Sequence, residues 1–163
     1  MTLPDIVPRA LVTVLNELLD GASWDAGWVL NPGDPGILRS LDLLPAEAAS
    51  AAPADGGSSI AAHVDHLRYG LELLNRWAGG EEPFTEANYG ASWRRAVVDD
   101  EEWAARRQAL RREACAWREA IERRVDANQE DLTTIVASVV HLAYHLGAIR
   151  QIDRLTAGPP AAD

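Results

Sequence analysis

The chain reads as an all-α protein, a four-helix bundle with long connections between helices one and two and between helices two and three. Three observations predict this class. Four segments carry apolar residues at three- and four-residue spacing, the period of a helix with one buried face. No segment alternates apolar and polar residues as a half-buried strand does. Each periodic segment is bounded by residue types that start and stop helices.

The first segment runs from about Asp5 to Asp20, with Val7, Leu11, Val14, Leu15 and Leu18 on one face. Asp5 is placed to cap it, Pro8 is tolerable in a first turn, and Gly21 is placed to end it. The connection from Gly21 to Gly57 holds Pro32, Gly33, Pro35, Gly36, Pro45 and Pro53, and reads as irregular chain with a turn at Asp34 to Gly36. Connections of that length are often functional. Trp24 and Trp28 within it either cover a pocket mouth or pack onto the bundle, and packing is the commoner fate of an indole.

The second helix spans about Ser59 to Trp77, capped by Ser58 or Ser59, with Ile60, Val64, Leu67, Leu71 and Leu74 as its stripe and Gly79-Gly80 as its stop. An irregular stretch from Glu81 to Val98 leads to the third helix. There Asp99 and Glu102 have the spacing of a capping box, and Trp103, Leu110, Ala114, Trp117, Ile121 and Val125 line one face as far as about Asp126. The fourth helix spans about Gln129 to Leu155 and is closed by Gly158-Pro159-Pro160. Four such helices make one domain over residues 1–163, a length that suits a single core.

Composition narrows the partners. The formal net charge is -10, which repels phosphate backbones and argues against nucleic acid. Arg106, Arg107, Arg111 and Arg112 do cluster, but Asp99, Asp100, Glu101, Glu102 and Glu113 flank them, so the run reads as a solvated helix face of mixed charge. Every one of the 15 basic residues is arginine, which points to coding bias more than to chemistry. The one cysteine, Cys115, leaves no internal disulfide and fits a reducing cytoplasm. Met-Thr-Leu-Pro-Asp lacks a basic n-region, and no apolar run reads as a membrane span, so a cytoplasmic protein without a membrane partner is expected.

All four histidines fall in two short windows: His63 and His66 on the second helix, His141 and His145 on the fourth. Residues i and i+4 stack on one helix face, so the imidazoles of His141 and His145 can reach one ion. Helix bundles commonly build metal sites from facing helices, and a third histidine from another helix completes a triad. At about 100° per residue, His141 and His145 lie within about 40° of Thr134, Ala148 and Ile152, the side taken as inward. Both His63 and His66 fall within the apolar arc of the second helix, His63 nearer its centre, and geometry alone does not choose between them. Four imidazoles facing an apolar interior need either a metal or four sets of hydrogen-bond partners.

Two stretches, Ser59-Ile-Ala-Ala-His63-Val-Asp-His66-Leu67 and His141-Leu-Ala-Tyr-His145-Leu-Gly-Ala-Ile-Arg150, resemble the DinB/YfiT-like superfamily of metal-dependent proteins. Ala148 stands where that family often has Gln, and His63 is an additional histidine. The resemblance implies a four-helix bundle and a divalent metal such as zinc or nickel. It implies His66, seven residues after the opening Ser59, as the ligand that joins His141 and His145. His63 and Tyr144 are then neighbours in the second shell or the pocket lining, and Arg150 flanks the site in sequence. The resemblance also implies a homodimer and kinship with transferases and isomerases that use low-molecular-weight thiols. Three protein ligands leave an open coordination position, so the expected function is a metal-dependent hydrolase or thiol-dependent transferase or isomerase acting on a small molecule. A non-catalytic metal or small-molecule sensor, or a metal-free interaction bundle, are the alternatives.

Overall fold

The computed structural model describes residues 3–54, 56–124 and 128–153. Among these residues the chain is helical, and its only extended pairing is an isolated bridge between Gly21 and Pro35. Four helices are long: α1 (Leu3–Asp20), α4 (Ile60–Ala78), α6 (Asp100–Arg123) and α7 (Gln129–Ile152). They coincide with the four periodic segments, to within a few residues at the ends. The expected cap Asp5 and stop Gly158-Pro159-Pro160 fall outside the side chains and residues described. Since α1 begins at Leu3, Pro8 lies inside it and not in its first turn.

The two connections depart from expectation. The first contains α2 (Ile37–Asp42) and α3 (Ala46–Ser50), and the second a 3₁₀ turn (Pro83–Glu86) and α5 (Tyr89–Trp93). Elements of four to six residues complete fewer than two turns, too few for a period to register in sequence. Helices so short do not persist alone and depend on packing. The buried Ile37, Leu38 and Leu41 supply it for α2, and Ala46 and Ala49 for α3.

The chain divides into two compact units, Leu43–Trp117 and the pairing of Met1–Asp42 with Arg118–Asp163. In the latter, α1 packs on α2 and α7. Val12, Leu15, Leu18 and Leu19 of α1 and Ile135, Val139, Leu142, Leu146 and Ile149 of α7 are buried. Gly21 ends α1 at φ +118°, where a Cβ would come within 2.6 Å of the Asp34 carbonyl, so the loop closes tightly on the helix end. Two side chains, buried Glu17 and half-buried Arg150, hold that loop. Glu17 accepts from the backbone N–H groups of Trp28, Val29 and Leu30 at 2.7–3.0 Å. Arg150 donates to Asp34 at 3.1 Å and to the Pro35 carbonyl at 2.7 Å. Trp24 and Trp28, expected to pack inward, are instead 90% and 79% exposed; at Trp28, Glu17 binds the backbone N–H and the indole lies outside.

In the other unit, α4 packs on α3, on the 3₁₀ turn and on α5. Its start is set by Ser59, whose hydroxyl accepts from the Ala62 N–H and donates to the Ala96 carbonyl. The start of α6 is the anticipated capping box: Asp99 accepts from the Glu102 N–H at 2.8 Å and Glu102 from the Asp99 N–H at 3.1 Å. Trp103 is buried and donates its indole N–H to the Leu44 carbonyl at 2.7 Å. Arg106 turns from the solvated face it was assigned to and donates to the Ala61 and Arg95 carbonyls, while Arg107 lies over the Trp103 ring.

The composition of α7 corrects one expectation. It is 24 residues long with a mean hydropathy of 1.6 over its most apolar window, enough by length and composition to cross a membrane, although no such span was read from sequence. One third of that window is buried, Ile135, Val139, Leu142, Leu146 and Ile149 being core residues, while Val136 and Val140 are exposed.

Glu17 yields a test of the loop anchor. Burial alone would raise its pKa, but the three backbone donors outweigh that and hold it below its ordinary value of 4.5. A depressed carboxylate contributes stability that is present above the unfolded value and lost as pH falls through the folded one. Glu17→Gln, which removes the charge and presents an N–H to other donors, is expected to cost about 2 kcal/mol at pH 7. The deficit should shrink as the pH is lowered past 4.5 in urea unfolding of both proteins.

Candidate metal centre

Helix α4 carries His63 and His66 one turn apart. Burial of Ile60, Ala61, Ala62, Val64, Leu67, Leu71 and Leu73 sets its roll. His66 is buried and His63 half-buried. The surroundings of both come from α5. Trp93 stacks on His66 with ring centroids 4.4 Å apart and planes at 26°, and meets His63 edge-on at 5.2 Å. Ser92 Oγ lies 3.2 Å from His66 Nδ1, and Tyr89 approaches the same ring at 5.9 Å.

The position of α5 is itself built from side chains. Asn88 caps it by accepting from the Ala91 N–H at 3.2 Å, and the Asn88 N–H donates to Tyr69 Oη at 3.0 Å. Tyr69 and Tyr89 meet edge to face at 5.7 Å. Asp65, between the two histidines in sequence, is buried and paired with Arg68 at 3.0 Å. Trp93 thus contacts both imidazoles.

Helix α7 begins at Asn128, which accepts from the Asp131 N–H at 3.0 Å. It presents His141 and His145 as the i,i+4 spacing requires, with ring centroids 4.4 Å apart. His145 is 1% exposed, whereas His141 is exposed, so not all four imidazoles face an apolar interior as anticipated. Thr134, Ala148 and Ile152, taken as inward, are only half-buried; the buried face of α7 is centred on Val139, Leu142, Leu146 and Ile149. Tyr144 is 68% exposed and stands edge-on to His145 at 5.1 Å. Arg150 is engaged by Asp34 and Pro35 and serves the loop.

One ligand atom each from His66, His141 and His145 lie within 4.8 Å of one another, a set able to hold a metal ion. Nitrogens bound to one tetrahedral zinc at about 2.1 Å lie about 3.4 Å apart, so the three imidazoles would draw closer around an ion. All three donors are imidazoles, suited to zinc, copper, iron or nickel more than to magnesium or calcium. His63 does not belong to this group. Gly70, one turn beyond His66, leaves open space where a Cβ would stand.

A histidine pair on one helix with a third histidine from another is an arrangement compatible with metal binding in a helical protein. A family comparison makes the assignment: the DinB superfamily model matches residues 37–148, and the chain belongs to that superfamily. No curated protein and no solved structure matches it.

Desolvation lowers the pKa of His63 and of His141 below the ordinary 6.5. Both are therefore neutral at pH 7, and neutral imidazole is the form that ligates. As the pH falls below 6.5 the unfolded chain takes up protons at these positions first, so they withdraw stability from the folded state on acidification. In NMR titrations of metal-free protein, both imidazoles should titrate with midpoints below 6.5; midpoints at or above that value would contradict the burial argument.

Proposed function

We propose that the protein is a metal-dependent enzyme acting on a small molecule, with His66, His141 and His145 as ligands of one zinc or nickel ion. The observation that carries this reading is the convergence of three imidazole donors in a DinB superfamily chain. Two of the donors are fixed at i,i+4 on one continuous helix, which makes them a rigid pair. His141 is exposed, and His66 and His145 are buried. When bound by three protein ligands, such an ion supplies Lewis acidity at an open position, the means by which a water or a thiol is deprotonated near neutral pH.

The reaction classes that fit are hydrolysis and transfer or isomerisation with a low-molecular-weight thiol. Tyr144 stands beside His145 and is largely exposed, so it is placed among the residues around the site. His63, edge-on to Trp93, supports the orientation of the aromatic wall. The four long helices form the bundle that the family implies, and the protein acts as a cytoplasmic homodimer. The exposed indoles of Trp24 and Trp28 supply apolar surface consistent with self-association, which light scattering tests.

Metal content decides the ligand set. Purified protein loaded with zinc or nickel and desalted should retain one equivalent by elemental analysis. His66→Ala, His141→Ala and His145→Ala should each abolish stoichiometric binding, and His63→Ala should leave it largely intact. Retention of a full equivalent by His66→Ala, with its loss from His63→Ala, would reverse the assignment on α4. Enzyme is then separated from sensor by assaying the loaded protein with thiols plus electrophiles and with esters and amides.

A further inference from the structure

We infer that Ser92 of α5 is a positioning residue that holds His66 in the Nδ1–H tautomer and so turns its Nε2 lone pair towards the metal. The inference deepens the proposed function and rests on the reading of His66 as a ligand.

The argument is a count of protons. Ser92 Oγ lies 2.7 Å from the Tyr89 carbonyl oxygen, one turn back in α5. A carbonyl oxygen only accepts, so the single hydroxyl proton of Ser92 is committed to it. Ser92 Oγ also lies 3.2 Å from His66 Nδ1. With its proton spent, the hydroxyl can only accept there, and Nδ1 must carry the hydrogen. A neutral imidazole protonated at Nδ1 has its lone pair on Nε2. The contact is sheltered, since Ser92 is 4% and His66 8% exposed, so water does not compete freely for either group. Trp93, the next residue, stacks on the same ring at 4.4 Å and sets its plane. Two consecutive residues of one short helix therefore specify both the tautomer and the orientation of the imidazole. Hydrogen bonds to the non-ligating nitrogen commonly do this for metal-bound histidine.

The test begins with metal-free wild-type protein, where long-range ¹H–¹⁵N NMR reads each histidine tautomer directly. His66 is expected as Nδ1–H. Ser92→Ala should move His66 towards a mixture of tautomers, leave the His141 and His145 signals in place, and weaken zinc binding by about 10–100-fold. Ser92→Thr, which keeps the hydroxyl and the bond to the i−3 carbonyl, should restore most of both. His66 found as Nε2–H in the wild type, or a tautomer and zinc affinity unchanged in Ser92→Ala, would overturn the inference. A wild type that binds no zinc defeats the metal reading instead, and the wild-type tautomer still decides the part played by Ser92. That readout needs no variant to fold.

Discussion

A buried imidazole has two ring nitrogens and, when neutral, only one proton, so its surroundings must offer one acceptor and one group that takes a lone pair. Much of the arrangement around His66 answers this constraint. The acceptor is Ser92, whose hydroxyl is itself fixed by the Tyr89 carbonyl, and His66 is one of the three-histidine set. Desolvation lowers the pKa of His63 and His141 and so favours the uncharged ring that ligation requires. Packing, protonation and ligand geometry are here consequences of the same burial.

The long helices and the loops divide the labour. Helices α4 and α7 carry the donors at fixed spacing, each started by a side-chain cap, Ser59 and Asn128. The segments between helices are not slack. Glu17 gathers three consecutive backbone N–H groups and Arg150 takes Asp34 and a carbonyl, so the chain from residue 21 to 36 is pinned by side chains of α1 and α7. Asn88 and Tyr69 do the same for α5. Without such anchors, a five-residue helix would have no reason to persist, and the stacking of Trp93 on His66 would be lost with it.

The long helices were legible in sequence because their signals are local. The apolar period of α6, its Asp99–Glu102 box and the Ser59 cap each act within one or two turns, and the structure realises all three. The spacing of His141 and His145 was legible for the same reason. What could not be read depends on residues far apart in the chain. Ser92 lies 26 positions from His66 and belongs to a helix too short to show a period, so no spacing rule connects them. The outward turn of Trp28 accompanies Glu17 binding the loop backbone at residues 28 to 30, a choice invisible to hydropathy. The exposure of His141 was missed because a wheel gives direction around one helix and says nothing of how far its neighbours cover that face. On α4 the wheel placed His63 nearer the centre of the apolar arc, yet His63 is half-buried against Trp93 and it is His66 that lies in the three-histidine group.

The central claim is that His66, His141 and His145 hold one divalent ion. The most direct measurement is an anomalous difference map from a crystal of zinc-loaded protein, collected on either side of the zinc edge. The account predicts a single strong peak within bonding distance, about 2.0–2.1 Å, of one nitrogen from each of the three imidazoles, the His66 bond running through Nε2. A peak bound through His63 in place of His66, or a zinc peak elsewhere with none at these three residues, would contradict it.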